Sequence, residues 1–417
     1  MTDSNKLVKW YLYDWAYSAF ATTVIAAILP VYYSKVAAGN LSGNEATIYW
    51  GYTTAIALLI VSLIAPIMGT IADFIGQKKR LLGIFTYIGV IATSLLYFIS
   101  DGDWVFASIL FVIGNIGFSI SEVFYNSLLP HIAPKDKVDQ ISVRGYAYGY
   151  MGGGILLLLN VILINSLSDQ KFGIRLSFIM AALWWAVFSF PLISSKSNNG
   201  PIINQQPNSN LIFISFRRIK RTFLEIKKYR ELSIFLIAFW IYNDGIGTII
   251  KMATIYGAEI GISTTHLIGA LIMTQFVGIP FALIFGRLAN LYGTKNLIYF
   301  GLAVYTLISI SAFFMKTNLH FWILAFMVAT VQGGTQALSR SLFSSMVPRN
   351  KSGEFFGFYS MSSRFAGIAG PLIFSIVGQL TGSSRLSILF LVFFFLVGGF
   401  LLSTVDEKEG IKVASVS

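Results

Sequence analysis

The chain has no cysteine and only three histidines, so disulfides, thiolate metal sites and cysteine nucleophiles are excluded and a histidine metal cluster is disfavoured. Charge is scarce too. Asp, Glu, Lys and Arg make up 12% of the 417 residues, against 55% hydrophobic residues and a mean hydropathy of +0.71. That composition cannot furnish a water-facing surface, which argues against a soluble enzyme. A G-x-x-x-x-G-K-[ST] phosphate loop is also missing, so ATP drive is not expected, and no cofactor, metal or catalytic role is assigned. The charge of +12 would be compatible with nucleic acid only if the cations shared one solvent face. They fall instead in short loops between apolar runs, so no nucleic-acid partner is expected.

What the sequence has is long apolar segments. They lie near 10–34, 47–71, 81–99, 104–129, 141–165 and 174–193, then near 232–257, 263–286, 296–315, 319–347, 354–380 and 385–405. Each meets the length of about 20 residues that a helix needs to cross a bilayer. The expectation is an all-α integral membrane protein of twelve transmembrane helices in two six-helix pseudo-symmetric bundles. Residues 1–193 would form the first bundle, 194–231 a linker, 232–405 the second bundle and 406–417 a tail. The first apolar run is long enough to span and lacks a cleavage site, so no signal peptide is expected.

With the N-terminus placed inside, 21 of the 30 Lys and Arg residues fall on the inner side. The positive-inside rule therefore puts both termini in the cytoplasm. The linker carries Arg217, Arg218, Lys220, Arg221, Lys227, Lys228 and Arg230, interleaved with Phe213, Phe216, Ile219, Phe223 and Ile226. Apolar residues recurring at three or four among cations describe a basic amphipathic helix on the inner leaflet, with a helix for a calmodulin-like partner as the alternative.

The halves repeat. Gly69, Asp73, Gly76 and Lys78 leave the second apolar segment as G-x-x-x-D-x-x-G-x-K, and Gly286, Asn290, Gly293 and Lys295 leave the eighth in the same frame, 217 residues on. SEVFYNSLLP (Ser121–Pro130) matches SRSLFSSMVP (Ser339–Pro348) at an offset of 218, and WYLYD (Trp10–Asp14) matches WIYND (Trp240–Asp244) at 230. A duplicated unit of this kind is transporter architecture, with a midplane site and alternating access.

The repeated loop resembles the signature of the major facilitator superfamily. Within it, YDWAYSAF (Tyr13–Phe20) is similar to the YDWANSAF block of the vacuolar amino-acid effluxer family of autophagy and its bacterial homologues, with Tyr17 where that family carries Asn. YNDG (Tyr242–Gly245), LSRSLFS (Leu338–Ser344) and EFFGFYSMSSRFAGIAGP (Glu354–Pro371) carry the same resemblance. It implies the major facilitator fold and a carrier whose substrates are amino acids, with efflux as the direction. GYAYGYMGGG (Gly145–Gly154) resembles only part of the superfamily's antiporter motif and lacks its Pro, so drug antiport is not supported.

Ionisable groups inside a span are costly and normally face the bundle interior with a partner. Asp14, Glu122, Asp244, Lys251, Arg340 and Arg364 are the set to explain. Asn115, Ser119, Glu122 and Asn126 share one helix face, and Gln332, Gln336, Arg340 and Ser344 another. Glu122 and Arg340 occupy matching repeat positions, open to three readings: a permanent buttress, a cytoplasmic gate, or an arginine clamp for a substrate carboxylate. Asp244, Thr248 and Lys251 lie on one face of the seventh helix, while Asp14 is the counterpart of Asp244 and is followed one turn on by Ser18. For a zwitterion, Asp14 or Asp244 would hold the ammonium, with Arg340, Arg364 or Lys251 on the carboxylate. Asp14, Glu122 and Asp244 are equally candidates for exchanging a coupling proton. Arg144 is assigned to bracing the loops through Asp73.

The expected function is a secondary transporter of small polar metabolites, working as a monomer in a bacterial plasma membrane. The alternatives are an exporter of amphipathic drugs or lysolipids and a membrane sensor or scaffold that does not transport. An intramembrane enzyme is not supported.

Overall fold

The structure is a computed structural model, and it describes residues 3–42, 44–75, 77–132, 138–195, 217, 220–221, 223–347, 355, 358–359 and 367–416. All regular structure among them is helical. The first helix, α1, runs as Asp3–Ala19 in α geometry, Phe20–Ala27 in π, Ile28–Tyr32 in α and Tyr33–Ala37 in π. There follow α2 (Glu45–Ile75), α3 (Lys78–Leu95), α4 (Trp104–Ile132), α5 (Val138–Ser166) and α6 (Gln170–Ile193). After the linker come α7 (Arg230–Glu259), α8 (Thr264–Tyr292), α9 (Thr294–Phe313), α10 (Asn318–Ser345), α11 (Ala369–Thr381), α12 (Ser384–Ser403) and a short terminal α13 (Glu407–Val416). Eleven of the described helices are long and apolar enough to cross a membrane, and α11 is a shorter apolar helix of 13 residues. Much of the predicted segment before α11, with Arg364, lies outside the described residues.

The helix ends follow from local chemistry. Asp169 caps α6 by accepting from the N–H of Phe172 at 3.1 Å, and Thr317 caps α10 through the N–H of His320 at 3.3 Å. Gly293 separates α8 from α9 at φ 86°, a left-handed geometry that glycine adopts without strain. Outside the spans, the Lys171 ammonium at 2.8 Å holds the exposed Asp101 carboxyl below its ordinary range.

By contact the chain divides into two units. The first comprises Met1–Ser42 and Leu59–Ser215, the second Gly43–Leu58 and Phe216–Ser417. The first half of α2 therefore packs with the second unit, although it precedes the linker. In the first unit, α1 lies against α5 and α6, and α3 lies against α4. A Cβ added to Gly117 of α4 would sit 2.5 Å from the backbone nitrogen of Gly89 on α3. Such backbone approach suits a membrane interior, where lipid tails are as apolar as leucine and close packing rather than hydrophobicity joins helices. In the second unit, α7 packs on α12 and α11, and α9 and α10 on each other. Large apolar side chains such as Leu183, Val187 and Phe190 on α6 and Phe400 on α12 stay exposed, as lipid-facing surfaces require.

The π geometry of α1 is the local feature that the sequence pattern does not announce. π-helix is rare and concentrates at functional sites. Here it is tied to α5: the Thr22 hydroxyl reaches the Gly153 carbonyl at 3.4 Å, and Asn160 Nδ2 donates to Thr23 Oγ1 at 3.1 Å.

Candidate functional site

Two buried aspartates anchor the site residues, one in each unit. Asp14 projects from α1 and is 6% exposed. Its Oδ2 accepts from the Tyr125 hydroxyl of α4 at 3.1 Å. Its carboxylate rests on glycines of α5, where a Cβ at Gly145 would fall 2.8 Å from Oδ2 and one at Gly149 would fall 3.1 Å from Oδ1. Ser18 shares that position, its hydroxyl 2.7 Å from the same Gly149 Cβ. Tyr125 is fixed by stacking on Trp10 and Tyr13, with ring centroids 4.5 and 4.9 Å away. Tyr13 in turn shares a 2.7 Å hydrogen bond with Thr86 of α3.

The α4 stripe read from the sequence is present in part. Ser119 donates to Asn115 Oδ1 at 3.3 Å with both residues buried, Glu122 is half-buried and Asn126 is exposed. Glu122 accepts from the Tyr17 hydroxyl at 3.4 Å, so the tyrosine that departs from the family block supplies a polar contact of its own.

In the second unit, Asp244 of α7 is 2% exposed. Its Oδ2 accepts from the backbone N–H of Gly370, in the first turn of α11, at 2.8 Å. Its Oδ1 has no hydrogen-bond partner among the described residues and lies over Gly370, where an added Cβ would come within 2.6 Å of it and collide with the Thr248 hydroxyl. Thr248 donates to the Asp244 carbonyl at 2.8 Å, so it braces α7 itself. Lys251 follows two turns after Asp244, half-buried, and forms no ion pair among the described residues. Its carbonyl accepts from the Trp50 indole N–H at 3.2 Å, and Gly51 meets the Ser375 side chain of α11. The first half of α2 thus closes on α7 and α11 beside this face.

Gln332 and Gln336 of α10 are half-buried, and Arg340 is exposed. Glu122 and Arg340 belong to different units. Arg364 and Gly76 lie outside the described residues, as do the side chains of Asp73 and Asn290 and the surroundings of Gly69. The proposed Arg144–Asp73 brace therefore cannot be placed, though Arg144 itself is exposed on α5. Lys78 is buried in the first turn of α3. Gly293 supplies the turn expected of the loop motif, whereas a side chain at Gly286 would meet nothing within 4 Å.

Buried carboxyls on repeat-related helices, each held against glycine, match a carrier built from two like halves. The family model described as "Vacuole effluxer Atg22 like" matches residues 2–415. The chain belongs to this Atg22-like family of major facilitator transporters. It is 38% identical over 413 residues to the MFS-type transporter YxiO of Bacillus subtilis, covering 97% of this chain and 96% of that one. It is 22% identical to autophagy-related protein 22 of Saccharomyces cerevisiae over 98% of this chain and 93% of that one. Among solved structures it is similar in fold to a D-xylose-proton symporter, with a TM-score of 0.71 at 15% identity over 98% of each chain. A crystal structure of the nucleoside transporter NupG gives a TM-score of 0.68 at 12% identity over 97% of this chain and 99% of that one. The fold is that of the major facilitator superfamily, and the chain is a multi-pass membrane transporter rather than an enzyme.

Sequence reasoning reached Asp14, Ser18, Asp244, Thr248 and Lys251 but missed their partners. Tyr125 was legible as an aromatic hydroxyl one turn after Glu122 and beside Asn126 on α4. The Gly370 N–H and the Trp50 indole carry no residue signal of their own.

Proposed function

We propose that this Atg22-like protein is a secondary active carrier of small polar metabolites, amino acids foremost, working by alternating access. The observation that carries the reading is the face of α7. It holds an aspartate with one oxygen that has no hydrogen-bond partner among the described residues and, two turns on, a lysine that forms no ion pair among them. A charged side chain at the centre of a span costs about 2.5–3.5 kcal/mol on insertion scales, so opposite charges held there two turns apart without touching are best explained by a ligand between them. A zwitterion supplies both missing groups: its ammonium for Asp244 and its carboxylate for Lys251. The description of the family as vacuole effluxers favours export. Of the carboxyls of Asp14, Glu122 and Asp244, that of Asp244 is the group through which a proton gradient would drive it. The carrier works as a monomer in a bacterial plasma membrane with both termini in the cytoplasm, its bundles being residues 1–193 and 232–405.

The test is uptake and release of a labelled amino-acid mixture in proteoliposomes, with and without an imposed pH gradient, comparing wild type with Arg340→Ala and Asp244→Asn. Gradient-dependent flux that falls in Asp244→Asn is expected. No flux of any amino acid by folded wild-type protein would end the amino-acid assignment and turn the search to amphipathic compounds.

A further inference from the structure

The linker holds a feature that transport chemistry does not use. Its described part, Arg217, Lys220, Arg221 and residues 223–229, leads directly into α7, whose membrane span begins at Arg230. A chain that enters a bilayer at Arg230 carries the preceding turns at the level of the lipid headgroups. Through Arg230 and Glu231, those turns hold six cations against two carboxylates, and each carboxylate already has a cation: Glu225 with Lys228 and Glu231 with Arg230, both at 2.8 Å. The described residues of the segment thus carry a formal net charge of +4, six cations less two carboxylates.

Two apolar residues sit among those cations. Phe223 is 40% exposed and Leu224 is 51% exposed, while Ile226 is buried and tied to α7, its carbonyl accepting from the Ser233 hydroxyl at 2.9 Å. Phe223 has Lys220 one turn before it and Lys227 one turn after, and Leu224 has Arg221 and Lys228 in the same relation. The Lys227 ammonium rests 4.7 Å from the centre of the Phe223 ring. An apolar residue bracketed on its own face by long cationic side chains is the arrangement of an interfacial helix. The ring and the leucine enter the acyl boundary while the cations reach up to phosphate.

We propose that Arg217, Lys220, Arg221 and residues 223–230 form a binding surface for anionic phospholipid headgroups in the leaflet where α7 begins. A soluble acidic protein would answer the charge but leave Phe223 and Leu224 in water, which favours the lipid. The surface is also placed to act on transport, because Ile226 and Tyr229 join it to α7 and Phe355, the Tyr229 and Phe355 rings lying 5.8 Å apart.

The experiment is native mass spectrometry of the full-length purified protein, titrated with equimolar phosphatidylglycerol and phosphatidylcholine. Wild type is expected to retain phosphatidylglycerol preferentially. The variant K220Q/R221Q/K227Q/K228Q is expected to lose that preference, each neutralised cation weakening retention about fivefold at low ionic strength. Raising the salt to about 1 M should erode the wild-type preference, since the screening length then falls to roughly 3 Å. L224S is the second variant, for use if the quadruple substitution unfolds. It should lower retention of both lipids and leave the preference intact. Equal retention of the two lipids by wild type, or an unchanged preference in a folded quadruple variant, would overturn the assignment.

Discussion

Asp14 and Asp244 occupy matching places in two copies of one design, and their surroundings differ at two nameable positions. Both carboxylates press against glycine on a facing helix, Asp14 on Gly145 and Gly149 and Asp244 on Gly370. Asp14 then receives the hydroxyl of Tyr125. In the repeat frame that aligns Ser121 with Ser339, the residue matching Tyr125 is Phe343, which has no hydroxyl to give and stacks on Tyr359 at 4.5 Å. Asp244 draws a backbone N–H from α11 instead and keeps Oδ1 without a hydrogen-bond partner among the described residues. A lysine lies two turns on from Asp244, where the first copy has Ala21. Duplication supplied one scaffold twice. The loss of one hydroxyl and the gain of one ammonium separate a closed brace from a face with chemistry to spare.

The comparison breaks most visibly at the glycines. Gly370→Ala drives a methyl group into the Thr248 hydroxyl and against Asp244 Oδ1, whereas Gly149→Ala meets only side-chain oxygens at 2.7 and 3.1 Å. Overpacking of this kind costs about 1–3 kcal/mol, and the upper end is expected for Gly370→Ala and the lower for Gly149→Ala in thermal unfolding of the purified proteins. Equal losses would mean that the two supports are equally tight.

Tyr125→Phe converts the first copy toward the second. It leaves a buried carboxylate oxygen without its hydroxyl donor, so a stability loss of about 1–3 kcal/mol is expected. The reciprocal Phe343→Tyr should offer Asp244 the hydroxyl its counterpart has, slowing flux several-fold without lowering the unfolding temperature. If Tyr125→Phe unfolds at the wild-type temperature, the hydroxyl is not what closes the first copy.

Tyr17→Phe has the smallest expected effect. Its hydroxyl donates to Glu122 across 3.4 Å, a long bond to a half-buried group, while its ring stays stacked on Phe118 at 4.7 Å. A loss below about 1 kcal/mol is expected on denaturation. A larger loss would make the Tyr17–Glu122 contact a main brace of the first unit.

Much of this was legible in the residues. Apolar run length located the spans, because backbone groups in lipid must be satisfied within a helix. The repeated motifs paired Asp14 with Asp244 before any coordinates. The alignment also contained the Tyr125–Phe343 difference, but a residue type gains meaning only once its reach to a carboxylate is known. Gly370 could not be read because the donor is backbone, and its N–H matters only through the packing of α11 on α7. The π turns of α1 were hidden for a related reason: Thr22 and Thr23 are too few among apolar residues for a register change to leave a pattern. Spacing alone did not separate the members of the α4 stripe, for Asn126 is exposed where Asn115 and Ser119 are buried.

The claim that the second aspartate meets the transported ligand while the first braces the fold is tested most directly by a paired substitution. Asp14→Asn and Asp244→Asn would be reconstituted side by side, each at known unfolding temperature, and gradient-dependent amino-acid flux measured for both. The account predicts that Asp244→Asn loses at least about 100-fold in flux, equivalent to roughly 2.7 kcal/mol, at near-native stability. Asp14→Asn, whose amide oxygen still accepts from Tyr125, should stay within about tenfold of wild type. Equal losses, or a flux that survives Asp244→Asn and vanishes in a folded Asp14→Asn protein, would contradict it.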